Sequence, residues 1–160
     1  MTRAARQEDL PRILEIYNAA IADGKSACDE RSRTLADKEV WFAEHYPKYP
    51  VIVSETDDRI SGWAALSPWA RHDGYAKTVE ISLYVDADFR ERGLGKQLLE
   101  ALVAAGQQAG FYVFVARILE GNDVSVRLHE RCGFLHVGRQ PQAMWLNGEW
   151  LDVILMQRNT

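Results

Sequence analysis

A chain of 160 residues, 47% of them hydrophobic, has the length and the apolar content for one domain with its own core. Its net charge of −4 argues against a long phosphate-tracking surface, so nucleic acid is not an expected partner, although a local basic cluster can still hold one small anion. The longest apolar run, Phe111 to Ala116, is far short of the roughly 20 residues a membrane helix needs, and Met1 to Arg6 carries no secretory apolar segment, so the expectation is a soluble, cytoplasmic protein with no membrane partner.

Leu10, Ile13, Leu14, Tyr17 and Ile21 recur at helical spacing, which predicts an amphipathic helix over 7–22 with Pro11 near its start. A second helix is expected over 35–46, capped by Thr34, with Val40, Trp41 and Phe42 as its apolar side. Val51 to Glu55, the turn Asp57-Asp58 and Ile60 to Ser67 read as a hairpin, and Pro68 to Gly74 as a loop. From Thr78 the chain alternates: Val79, Ile81, Leu83 and Val85 share one face, and Thr78, Glu80, Ser82 and Tyr84 the other.

Next, Arg90-Glu91-Arg92-Gly93-Leu94-Gly95-Lys96 opens a helix in which Leu94, Leu98, Leu102 and Ala105 repeat every three or four residues, ending near Gly110. A buried strand over 111–118 and a short helix over 122–131 follow, with Gly133 as a left-handed stop. Strands at about 134–145 and 148–157, turning at Asn147-Gly148, close the chain. Trp145 and Trp150 are assigned to core or rim packing, with a subunit border as the alternative. There is no internal repeat or linker, so residues 1–160 are expected to form one domain. The class is α/β of the α+β kind, a mixed, mostly antiparallel sheet flanked by about four helices.

Two cysteines, Cys28 and Cys132, lie far apart and no His or Cys group completes a metal set, so no metal is expected. A buried structural thiol accounts for Cys132 better than a nucleophile does. The glycine turn satisfies the needs of anion binding: backbone N–H groups at a helix mouth, no Cβ in the way, and cations from Arg90, Arg92 and Lys96. It is not a P-loop, because Arg90 and Gln97 stand where Gly and Ser or Thr are required. Nor is it a dinucleotide fingerprint, whose third glycine falls on Leu98.

The strand ending Leu83-Tyr84-Val85, then Arg90-x-x-Gly93-x-Gly95, a helix, a strand, and Asn122-x-x-Ser125-x-Arg127-Leu128-His129-Glu130-x-x-Gly133-Phe134 together resemble the GNAT acetyltransferase superfamily. Within it the chain is similar to the phosphinothricin and methionine sulfoximine N-acetyltransferase group, through Ala5 to Asn18, Trp41 to His45, Thr78-Val79-Glu80 and Gly148-x-Trp150-Leu151-Asp152. The resemblance implies the GNAT fold, splayed at an acetyl-CoA cleft, and direct acetyl transfer to the amine of a small amino-acid-like molecule. Homodimers are common among the relatives. It places acetyl-CoA on Arg90, Glu91, Arg92, Gly93, Leu94, Gly95 and Lys96, along Leu83, Tyr84 and Val85, and against Asn122 and Ser125.

By the same resemblance Glu80 is the carboxylate that receives the amine's proton, and His129 stands where many members carry a tyrosine that protonates the leaving thiolate. Which of the two is base and which acid stays open. Trp69, Arg71, His72 and Lys77, with Glu80 and Ser82, are the substrate candidates, because an aromatic wall and a bidentate guanidinium suit a carboxylate. Two departures bear on the pocket: Ala76-Lys77 replaces an Arg-His-like pair, and Ala143 to Gly148 replaces a Val-Gly-x-Lys-x-Gly pattern. Two further readings remain: an acetyltransferase acting on a peptide or protein amine, and a CoA-binding module without turnover.

Overall fold

A computed structural model describes residues 1–160. Seven strands form one sheet in the spatial order β1-β2-β3-β4-β5-β7-β6: β1 Thr2–Ala4, β2 Val51–Thr56, β3 Arg59–Pro68, β4 Thr78–Val85, β5 Val113–Leu119, β6 Leu135–Leu146 and β7 Glu149–Asn159. All neighbouring strands are antiparallel except β4 and β5. The helices are α1 Leu10–Asp23, α2 Leu35–His45, α3 Leu94–Gln108 and α4 Asp123–Arg131. This is the mixed, mostly antiparallel sheet with four helices that the alternation of patterns implied.

The period of 2 in the central strands divides their side chains between two cores. Ile52, Leu66, Val79 and Ile81 join Leu98, Leu102 and Phe114 in a core beneath α3. Val51, Val53, Trp63 and Ala65 point the other way and pack with Leu10, Ile13 and Ile16 of α1. Helix α3 lies so close to the sheet that a Cβ at Gly106 would come within 2.5 Å of Phe114 Cε1 and 2.7 Å of Leu66 Cδ1, two fully buried side chains. Gly106→Ala is therefore expected to destabilise by about 1–3 kcal/mol through overpacking, despite alanine's better helix propensity. Thermal denaturation reads this as a fall in Tm of roughly 2–10 °C.

Several sequence expectations change. The start of the chain forms the short edge strand β1 on β2, and α1 begins at Leu10 after a single 3-10 turn, Gln7–Asp9. Thr34 does cap α2, in a reciprocal pair with Asp37. Its buried face, however, is Lys38, Trp41 and His45, while Val40 is 60% exposed. Spacings of three and four residues put Lys38, Trp41 and His45 on one side and turn Val40 away. Trp145 and Trp150 are paired across the β6–β7 hairpin, with ring centroids 5.2 Å apart and both 55% exposed, so neither fills the core.

Candidate active site

Strands β4 and β5 are hydrogen-bonded neighbours only where residues 78–80 face 113–115. Beyond that point they part. The second half of β4 is paired on β3 alone, and β5 continues on β7, so residues 81–85 offer an unpaired backbone edge to a gap through the sheet. The gap is walled by Glu80, Ser82 and Leu83 from β4, Arg117 from β5, and Ser125 and His129 from α4.

Glu80 and Arg117 project to the α1 side of the sheet, opposite Val79 and Ala116, which enter the α3 core. Arg117 grips Glu80 with both arms: Nε and Nη2 each donate to a different carboxylate oxygen at 2.6 Å. The guanidinium also lies 5.7 Å from the ring centroid of Trp69. A carboxylate accepts more bonds than these two, so Glu80 keeps acceptor capacity for an incoming ammonium. The bidentate grip fixes its orientation.

His129 is buried, and Nδ1 lies 2.8 Å from the Ser125 carbonyl. A carbonyl only accepts, so Nδ1 carries the hydrogen and Nε2 keeps its lone pair. The ring stands edge-on to Phe134 at 5.1 Å. Burial pushes the imidazole below its ordinary value, against the smaller opposing pull of the Ser125 bond. The resting side chain at neutral pH is therefore a proton acceptor.

At the mouth of α3, Gly93 adopts the left-handed conformation (φ 76°) and no side chain caps the helix. The first intrahelical bond is made by the N–H of Gln97, which leaves the amides of residues 94–96 free for an anion. Gly95 sits where its missing Cβ would be 3.1 Å from Leu128, so α3 and α4 approach closely there. The cations are exposed but partly engaged: Arg90 on the Val85 carbonyl, Arg92 on the Asp88 carbonyl and the Phe89 ring, Lys96 near Glu100. Glu91 is exposed on the same turn. Asn122 Oδ1 accepts from the Ser125 N–H and so starts α4, which leaves its amide nitrogen as a donor. The uncapped helix mouth, the strand edge at Leu83, Tyr84 and Val85, and the Asn122 amide suit a long pyrophosphate-bearing thioester such as acetyl-CoA.

A second cavity of about 340 Å³ opens on the α1 side and shares Ser82 and Tyr84 with the gap. Tyr84 packs edge-on to Tyr17 at 5.2 Å and lies 5.0 Å from Trp63; burial holds its phenol protonated. Lys38 forms part of the wall, with Nζ 4.3, 4.1 and 4.8 Å from the ring centroids of Tyr17, Trp41 and Trp63. Arg33 is bound to Asp29, which also accepts the Tyr17 hydroxyl.

The structure thus brings Glu80, Ser82, Leu83, Tyr84, Asn122, Ser125 and His129 to one place, with Trp69 at its edge. It does not bring Arg71, His72 or Lys77 there; all three are exposed on the connection between β3 and β4 and line neither cavity. Sequence reading missed Arg117 and Lys38. Arg117 had a signal, as the lone charge in the apolar strand Val113–Leu119, because such a charge needs a partner.

The model of the Acetyltransferase (GNAT) family matches residues 10–134. An L-methionine sulfoximine/L-methionine sulfone acetyltransferase of Pseudomonas aeruginosa is 40% identical over 159 residues, 98% of this chain and 92% of that protein. Among solved structures, a ribosomal-protein-alanine N-acetyltransferase from Brucella melitensis superposes with a TM-score of 0.97 at 30% identity, covering 100% of this chain and 99% of the other. A phosphinothricin acetyltransferase from Sinorhizobium meliloti in complex with AcCoA does so with a TM-score of 0.94 at 30% identity, covering 99% and 87%.

Proposed function

Because the chain belongs to the GNAT acetyltransferase family and is an N-acetyltransferase, we propose that it moves the acetyl group of acetyl-CoA to the amine of a small amino-acid-like compound of the methionine sulfoximine, methionine sulfone or phosphinothricin type. The observation that carries the acceptor class is the cavity of about 340 Å³ joined to the strand gap at Ser82 and Tyr84, at the small end of the range for ligand pockets. A compact zwitterion fits that space better than a protein segment does.

Acetyl-CoA supplies an activated thioester carbonyl and a good leaving group. It is held by the amides from Arg92 to Lys96, with Arg90 and Glu91 on the same turn, by the edge of β4 at Leu83, Tyr84 and Val85, and by Asn122 and Ser125. Glu80, fixed by Arg117, orients the acceptor's ammonium at the gap. The ammonium must shed two protons before an amide is complete: one leaves to solvent and one ends on the sulfur of CoA. His129 Nε2 takes one as the amine attacks and returns it to the departing sulfur. A backbone N–H of the free β4 edge near Leu83 steadies the carbonyl oxygen as it gains charge.

The same reading makes the protein a cytoplasmic homodimer. The support for the dimer is the outer strand β6 and its neighbour, which leave Leu135, Val137, Trp145 and Trp150 exposed.

An amine panel followed by CoA release tests the function. Methionine sulfoximine, methionine sulfone and phosphinothricin are expected to release CoA faster than peptides with an amino-terminal alanine. Strong turnover of peptides alone would overturn the small-molecule reading in favour of the protein-directed one. Tight binding of acetyl-CoA with no turnover of any amine would favour a non-catalytic binding module.

A further inference from the structure

Lys38 is 5% exposed, on the buried face of α2, and its Nζ makes no hydrogen bond or ion pair within the chain. Three aromatic rings surround it within 4.8 Å, and its ammonium opens into the cavity of about 340 Å³. The other charged side chains of that lining each have a direct partner. Arg33 is held by Asp29 at 2.6 Å, and Asp37 accepts the Thr34 N–H in the cap of α2. The charges of the lining balance as a set, but Lys38 is the one that is buried without a hydrogen-bond or ion-pair partner, and a buried charge is costly without one. Burial pushes the ammonium down to about 8, against the opposing pull of Asp29, so Lys38 is still mostly charged at neutral pH. In the same wall, Trp63 Nε1 is buried with no acceptor.

We infer that Lys38 is the receptor for the acceptor's carboxylate: a single anionic group enters the aromatic box, seats on Nζ, and thereby points the acceptor's amine back past Ser82 and Tyr84 to the strand gap. The inference rests on the acceptor class proposed above and adds the residue that selects within it. With Arg33 already ion-paired to Asp29, Nζ is the one cationic donor left in this lining, which suits a ligand with a single carboxylate. The rings of Trp41 and Trp63 give an apolar wall for the rest of the molecule. Arg71, the guanidinium among the substrate candidates from sequence, lies outside the cavity.

The test compares free acids with their α-carboxamides: L-methionine sulfone, L-methionine and L-leucine, each in both forms, by initial rates with saturating acetyl-CoA. Tryptophan fluorescence with the same compounds reads binding independently of turnover. The wild-type chain is expected to favour the acids roughly 10- to 100-fold, the worth of a buried charge-assisted bond. Lys38→Met is expected to abolish that preference with KM for acetyl-CoA unchanged, which also shows that the variant is folded, and Lys38→Arg to keep most of it. An equal preference in Lys38→Met and wild type would overturn the inference and leave the acceptor class standing. So would the absence of any preference in the wild type. Failure of every acid and amide to bind or react, with peptides acetylated, would remove the acceptor class itself.

Discussion

Replacing His129 with glutamine is expected to lower kcat roughly 100- to 10,000-fold, the span that a positioned proton-transfer group commonly supplies. KM for acetyl-CoA should change little, because glutamine keeps a polar group of similar reach on α4 and leaves the α3 mouth untouched. The pH profile separates the two roles that the sequence left open. A base works in its neutral form, so rate is lost as pH falls through the imidazole's own value, which burial places below the ordinary histidine figure of about 6.5. With the amine saturating, the wild-type kcat should therefore hold through pH 7 and decline on the acid side, and His129→Gln should lack that decline. A wild-type kcat that instead falls as pH rises from 6 to 7 would mean the protonated ring is the working form and His129 acts first as an acid.

The fold was legible in the sequence wherever one period dominated. β4 alternates cleanly over eight residues, α3 repeats leucines every three or four, and each hairpin carries its own turn residues, so those elements emerge where the patterns put them. The splay was not visible in the pattern itself. It depends on β4 and β5 sharing only three residue pairs, a tertiary property that local propensity does not encode. Of the candidate site, the part on β4 and α4 was legible, since the family-like spacing marks Glu80 and His129 and both line the strand gap.

On α2 the same reasoning failed for a physical reason. Lys38 and His45 are not residues that hydrophobic periodicity assigns to a core, yet they occupy the buried stripe with Trp41, while Val40, assigned to the apolar side, takes the solvent. His45 resolves its burial by bonding the Trp41 carbonyl and Ser67, whereas Lys38 finds only ring faces. Places where binary patterning breaks without internal compensation are where a ligand is expected to complete the structure.

The second large effect concerns Glu80 and Arg117. Each single replacement, Glu80→Gln and Arg117→Met, is expected to lower kcat/KM for the amine roughly 10- to 100-fold, as truncating one member of a bonded charge pair at a binding site commonly does. If Arg117 acts by holding the carboxylate, the two substitutions remove the same interaction, and the double variant should be no worse than the more damaging single one. If Glu80 is instead an independent base, Arg117→Met should be mild, and adding Glu80→Gln to it should cost the full amount again. Stability reports little here, because Arg117 is 46% exposed and an ion pair so open to solvent contributes at most about 1 kcal/mol. A rate loss far larger than the thermal shift would place the pair in the reaction, with the carboxylate presented to the amine because the guanidinium on the neighbouring strand spans the opening where β4 and β5 diverge.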